Sequence, residues 1–533
     1  MRPLFILATL AGCGEVVTTA VDVTIDADDC VRQAVARLEV SVRDQEGQLA
    51  ETFDVATAEV AFPTGVRVVP RDEVSGSWRV DAVGYTVDGV PIVWSSVRGG
   101  FDEGDLVDRS LLFDDACLGV RCPAGEVCTR EGLPVEGVTP VDKTQCVPEA
   151  LAADSLRHAS RDECPSILFV DGGAGTAGSD CGSFTGPCAD AELALEQVAP
   201  GVGAVVHIRG EQTYLGARQV DLTQPRSGAR TAPVVVKALP DSGVPRFEGA
   251  AASAIWVRAS NVVLDGFFVT EAVDHGIAVN NGMAGVDNVT IRNMELVANG
   301  RGSDGGFNNR GGIQLNNGAN DVLIEHSIFR DNRTMVADAR GHALYVNKTD
   351  GLVFRHNGVR GGQGIAVHLI GSSDVHIESN VFQDNDGDAI RADGSEATIS
   401  NNRICRSMTD GVRANVDGAV EVLNNTIVAS GANALQIVGE RDQVPIFRGN
   451  IFAFNPGTGV AATDMSNVFD SYNLYFMNGN DWVGFEPTQP QTNVLADPQL
   501  MGRELCELTL GSDSPARGAG PDGSVIGATY EPR

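Results

Sequence analysis

Lysine is almost missing from this chain: Lys143, Lys237 and Lys348 are the only three, so arginine supplies nearly all of the positive charge. Acidic residues outnumber basic ones, and the formal net charge is -32 at pH 7, spread along the sequence without a basic arm or stripe. Such a chain repels nucleic acid and anionic surfaces, and no nucleic-acid partner is expected. No apolar run is long enough to span a bilayer. The second half lacks the 3.6-residue periodicity of helices. The eleven cysteines include no C-x-x-C pair, which argues against a zinc ribbon.

What is present is a repeated phrase. Val262, Val289, Val322, Leu352, Val375, Ala397, Val420, Pro445 and Val468 each open a short apolar segment, at intervals of about 22 to 33 residues. Five residues after each of the last six openings stand Asn357, Asn380, Asn402, Asn425, Asn450 and Asn473. Asn tolerates left-handed backbone, and its amide bonds the amides above and below, so the column predicts a turn ladder. A further segment recurs as Gly276-Ile277, Gly312-Ile313, Ala343-Leu344, Gly364-Ile365, Ala389-Ile390, Gly411-Val412, Ala434-Leu435 and Gly459-Val460. Three short alternating strands per repeat, with Gly or Asn at the corners, predict an all-β chain built on a right-handed parallel β-helix, a solenoid.

The ends divide the rest. Arg2, an apolar run and Leu10-Ala11-Gly12-Cys13 resemble a lipoprotein signal peptide over residues 1–12, which implies a lipidated Cys13 and a membrane anchor. Residues 13–116 alternate apolar and polar, with Asp88-Gly89 as a hairpin turn, and predict a small antiparallel β-sandwich. A stalk or a carbohydrate-binding module would both use that fold. Residues 117–163 form a Cys-rich connector too short for much core. With Cys13 set aside, an even number of cysteines remains, expected as disulfides in an oxidising compartment, Cys30 with Cys117 closing the first domain. The β-helix takes residues 164–533, with a capping helix over Ala189–Val198 and a closing segment from Ala496-Asp497-Pro498 to Ser514-Pro515-Ala516. This order resembles extracellular bacterial β-helix proteins of the pectate-lyase-like superfamily.

Alternation puts Ala278, Gln314, Tyr345, Ala366, Arg391, Arg413 and Gln436 in one outward column. The second outward column is Asn280, Asn316, Asn347, His368, Asp393, Asn415 and Val438. Rungs stack about 4.8 Å apart, so Tyr345, Asn347, His368, Arg391, Asp393, Arg413 and Asn415 should form one polar patch, flanked by His342, Asp388 and Asp410. Sugars need an aromatic platform and many donors and acceptors, which this patch has; a solvated sheet face is the plainer reading. The long loops at 296–312 and 329–342 would wall one side.

Asn347-Lys348-Thr349, Phe354-Arg355-His356-Asn357 and Gln363-Gly364 resemble the core of the chondroitinase B and alginate lyase family. The resemblance implies β-elimination on uronic acids, with Lys348 as base. At the family's arginine this chain has His368-Leu369, and His368 or Arg391 would have to substitute. Those enzymes often use calcium. Asp384-Asn385-Asp386-Gly387-Asp388 sets Asp384, Asp386 and Asp388 on alternate residues, as a calcium loop does, though a β-helix corner looks the same. The expectation is a lipoprotein anchored in the bacterial envelope, at the outer membrane or cell surface, binding an extracellular polysaccharide. Depolymerisation by β-elimination is left open. A non-catalytic adhesion module or rod is the alternative.

Overall fold

The computed structural model describes residues 5–8, 20–44, 48–55, 62–69, 77–101, 106–122, 126–129, 145–148, 163–178, 180–215, 220–223, 226–279, 285–302, 310–333, 341–415, 418–439, 444–463 and 468–529. Cys13, Lys143 and Asn280 lie outside them, as do most of the signal-like segment and the middle of the two long loops. The chain divides into two units.

The first unit comprises residues 1–188, 193–208 and 226–243. Alternating burial along Arg37–Arg43 and Ser77–Tyr85 builds one four-stranded antiparallel sheet with Leu49–Val55 and Pro91–Gly100. A second sheet orders Phe5–Ala8, Thr64–Val68, Ala20–Ala27 and Leu106–Phe113. It is mixed rather than antiparallel, since Ala20–Ala27 runs parallel to Leu106–Phe113 and Phe5–Ala8 parallel to Thr64–Val68. Alternation gives a strand's faces but not its neighbour's direction, and so the sequence could not show this. Asp88-Gly89 does form the turn: Gly89 has φ +78° and Thr86 N–H donates to the Val90 carbonyl at 2.8 Å.

The disulfides correct the expected Cys30–Cys117 pair. Cys30 joins Cys164, 134 residues on, while Cys117 joins Cys128, Cys122 joins Cys146 and Cys181 joins Cys188. Long-range pairing depends on which elements meet, and spacing does not record that. The connector is thus held by covalent links among its own cysteines. Parallel strands Ser166–Val170, Ala204–Ile208 and Val234–Ala238 complete this unit. Lys237 is buried there, its Nζ donating to the Gly119 carbonyl at 2.7 Å and lying 4.6 Å from the Trp94 ring centre. Beside it His207 stacks on Phe169, and burial, with Lys237 adding, pushes its pKa down to about 3.

The second unit, residues 189–192, 209–225 and 244–533, holds the parallel β-helix. One sheet has twelve strands, from Thr213–Leu215 to Val494–Leu495. Another has eleven, from Val220–Leu222 to Asn480–Val483; it is called the outer sheet below. A third ladder runs from Val262–Asp265 to Phe469–Ser471. Val262, Val289, Val322, Leu352, Val375, Ala397 and Val420 are successive partners in it, as the repeat predicts. Phe329, Phe354, Phe382, Phe447 and Phe452 are fully buried. The helix expected over Ala189–Val198 is shorter, Ala191–Leu195. After the last rungs the chain turns back: Cys506 bonds Cys405, and Leu508, Ala516 and Ile526 pack with Val428, Ile451 and Leu474.

The asparagine ladder forms, with one correction. In each rung the Asn Nδ2 donates to the next Oδ1, Asn380 to Asn402 at 3.0 Å and Asn402 to Asn425 at 3.0 Å, and each also binds a main-chain carbonyl. Asn380, Asn402 and Asn425 are fully buried. The left-handed residue is the one before: His356, Ser379, Asn401, Asn424, Gly449 and Tyr472 have φ of +53° to +70°. That residue makes the corner, and the corner aims the following carboxamide inward, where the next carboxamide and a main-chain carbonyl satisfy it.

Candidate functional site

The outer sheet aligns Ala278, Gln314, Tyr345, His368, Arg391, Arg413 and Gln436 in one column. The second column is Asn347, Ile370, Asp393 and Asn415. His368 therefore stands between Tyr345 and Arg391, not in the neighbouring column, and Ala366 is out of it. The step from Arg360 to Val367 equals those from Gln383 to Ile390 and from Cys405 to Val412, so Val367 rather than Ile365 pairs with Leu344 and Ile390, and Gly364-Ile365 only resembles the recurring pair. A two-residue slip keeps every side chain on its face, and alternation cannot reveal it.

Asp393 is the hub. Its Oδ2 lies 2.9 Å from His368 Nε2, Arg391 Nε donates to Oδ2 at 2.9 Å and Oδ1 at 3.1 Å, and Asn415 Nδ2 donates to Oδ1 at 2.6 Å. Burial alone would raise this carboxyl, but the hydrogen bonds from His368, Arg391 and Asn415 and the arginine charge outweigh it and hold the pKa at about 2. The terminal nitrogens of Arg391 hold no hydrogen bond among the described residues. Arg413 Nε donates to Asn415 Oδ1 at 3.2 Å, and its Nη1 lies 3.8 Å from Asp410 Oδ2.

Two carboxylates line the strand starts. Asp388 Oδ1 accepts from the Asp410 N–H at 3.1 Å and from the Thr409 hydroxyl. Asp410 Oδ1 accepts from the Asn433 N–H at 2.9 Å and Nδ2 at 3.0 Å. Burial pushes the Asp410 carboxyl up against those hydrogen bonds, and the Asp388 charge adds to the rise. Asn433 was not singled out in the sequence, yet it precedes Ala434-Leu435 as Asp410 precedes Gly411-Val412, which was a legible signal.

On the other side Tyr345 is buried, which raises its phenol pKa and keeps it a neutral donor. Its ring lies 5.5 Å from His342 and 5.6 Å from His368, and His342 lies 5.3 Å from His368. His368 Nδ1 is buried without a hydrogen bond, and Nε2 faces Asp393, so neither ring nitrogen is presented outward as a base. Lys348 is exposed at the strand's end, at φ +53°, with its Cγ over the bare Gly371 corner.

The calcium triad does not converge. Both Asp384 oxygens take hydrogen bonds from Arg406, at 2.6 and 3.0 Å, Asp386 is exposed and Asp388 is turned to Thr409 and Asp410. Among the described residues no group of three or more His, Cys, Asp or Glu stands where it could hold a metal ion.

Residues 279–503, less than half of the chain, match the family model described as periplasmic copper-binding protein (NosD). No curated protein matches. Among solved structures the periplasmic alginate epimerase AlgG is 12% identical, with a TM-score of 0.35, covering 57% of this chain and 81% of its own. The catalytic unit of an α-1,3-glucanase from Streptomyces thermodiastaticus is 12% identical, with a TM-score of 0.34, covering 87% and 86%. The Streptococcus pneumoniae surface protein and adhesin PfbA is 12% identical, with a TM-score of 0.31, covering 56% and 90%. Likeness at this level carries neither substrate nor mechanism, and the parallel β-helix rests on the sheets themselves.

Proposed function

We propose that this is a bacterial envelope protein whose outer sheet binds an extracellular polysaccharide across Tyr345, His368, Arg391 and Arg413. The observation that carries the reading is the column itself: an aromatic ring, an imidazole and two guanidinium groups on four successive rungs. Asn347, Asn415 and Asp393 lie beside it as further donors and acceptors, the mixture that sugar hydroxyls need. Five disulfides support an oxidising location, and lipidation at Cys13 would anchor the chain there.

Binding is favoured over β-elimination. Elimination needs a base facing the substrate, and the buried or engaged nitrogens of His368 do not offer one. That leaves Lys348, exposed at the corner. A specific observation also favours the rod or adhesion alternative: His368, Arg391 and Asn415 all spend hydrogen bonds on Asp393, which would equally serve a self-contained sheet face.

Affinity electrophoresis against a panel of neutral and acidic polysaccharides tests the reading. Arg391→Ala should weaken retardation by the sugar that binds about tenfold, the loss of one to two hydrogen bonds from a charged group. New ultraviolet-absorbing unsaturated ends would add elimination. Retardation by no member of the panel, or unchanged affinity in Arg391→Ala, would favour the rod.

A further inference from the structure

We infer that the polysaccharide taken by this site is neutral, and that acidic chains such as polyuronates are excluded. This rests on the binding reading above and names its ligand class. Two guanidinium groups on adjacent rungs look at first like a carboxylate receptor, since arginine pairs with carboxylates in a two-pronged way. Their surroundings argue otherwise. Across the strands the Arg391 rung reads Asp388, Arg391, Asp393, and the Arg413 rung reads Asp410, Arg413, Asn415. A carboxyl group thus precedes each arginine, and Asp393 also follows the first.

These carboxylates are part of the site rather than bystanders. Asp393 is ionised well below neutral pH and bonds His368, Arg391 and Asn415 together. Asp410 faces Arg413 at 3.8 Å, and Asp388 is fixed through the Asp410 main chain and Thr409. Against three carboxyl groups stand Arg391, Arg413 and, at the corner, Lys348; His368 already faces Asp393. The site has no positive surplus to offer, and the chain around it carries a net charge of -32. A polyanion would meet long-range repulsion without a local well to offset it.

For a neutral sugar the same arrangement works. The terminal nitrogens of Arg391 donate to hydroxyl or ring oxygens, and the partly exposed Asn347 carboxamide offers both a donor and an acceptor. Charge-assisted hydrogen bonds to neutral partners gain strength because neither ion must give up its counter-charge.

The test uses the full chain at pH 8, far above the ordinary carboxylate range, and at low salt, where charge effects are largest. Affinity electrophoresis compares polygalacturonate and alginate with neutral glucans, mannans and galactans. The wild type should be retarded by at least one neutral polymer and by neither polyuronate. The double variant Asp388→Asn, Asp410→Asn removes two charges without removing the hydrogen-bond acceptors. It should gain at least tenfold in polyuronate affinity while its cooperative melting confirms folding. Asp388→Asn alone, the milder change, should gain in the same direction and keeps the test readable if the double variant does not fold. Polyuronate retardation of the wild type would overturn the inference and leave the binding reading standing. Retardation by no polymer of either class would overturn both. Folded variants that gain nothing for polyuronate would also overturn the charge argument.

Discussion

At the scale of single residues, the site is governed by one carboxylate. Asp393 has its pKa lowered from 3.8 to about 2 in the folded chain. A depressed folded pKa means stability fully present above the unfolded value and lost as pH falls toward the folded one. The window is therefore about pH 4 down to pH 2, and the contribution is about 2 kcal/mol. The urea midpoint of the wild type should fall more steeply over that window than that of Asp393→Asn; parallel curves would deny the hub. Asp410 and Asp470 shift the other way, raised first by burial, so their part falls as pH rises through their folded values. The residue types of the site were legible in the sequence because alternation assigns faces. The column of His368 was misjudged because Gly364-Ile365 mimics the recurring pair and a two-residue error leaves every face unchanged, although Val367 follows Asn357 by the same step as Ile390 follows Asn380.

At the scale of elements, the corners decide stability. Asn402 donates to Asn425 and to the Ile377 carbonyl, and its Oδ1 accepts from the Asn380 N–H. Replacing Asn402 with Leu should cost about 1 to 3 kcal/mol by leaving buried groups unpaired, measured as a lower urea midpoint at unchanged slope. No change would mean that the carboxamides stack without supporting one another. A second ladder, unread in the sequence, runs at the next corner through Asn299 and Asn332 and resumes at Asn455 and Asn478. Between them Gly362 has no side chain, and the Asn385 carboxamide and the Ser407 and Ser430 hydroxyls are buried without hydrogen bonds. A Cβ at Gly362 would lie 3.6 Å from Asn385 Oδ1 and 3.9 Å from the Asn332 carbonyl, an ordinary contact. Gly362→Asn should thus bridge the gap and stabilise by about 1 kcal/mol, seen as a raised melting temperature. A lowered one would show that the rung has no room.

The column of charges beside the first corners follows the same logic. Asp265, Arg292, Glu325 and Arg355 are successive partners, alternating in sign, with Arg292 and Glu325 almost wholly buried. Arg355 donates to Glu325 at 2.9 Å and Arg292 to Asp265 at 3.2 Å. Such a ladder makes a slipped register costly, because like charges would then meet in a dry environment.

At the scale of the whole molecule, the resemblance of residues 1–12 to a lipoprotein signal peptide carries a prediction about anchoring. Cys13→Ala should leave the protein unlipidated and released from membranes, followed by fractionation; equal retention would count against the lipoprotein reading. Within the first unit, Lys237 packs under Trp94 and bonds Gly119, so the strand that carries it and the sandwich share one buried contact.

The sequence by itself determined the repeat: the ladder from Val262 to Val420, the six-rung asparagine column and the alternation of faces all follow from local preference and period, which neighbouring residues record. Tertiary structure alone decided the rest. Cys30 reaches Cys164 and Cys405 reaches Cys506 because folded elements bring them together. His368 joins Tyr345 and Arg391 because Val367, not Ile365, takes the inward place between Leu344 and Ile390. Most of all, the charge balance of the site depends on which carboxylates end up beside which arginines. Coulomb energy depends on distance in space, and a linear sequence carries only distance along the chain.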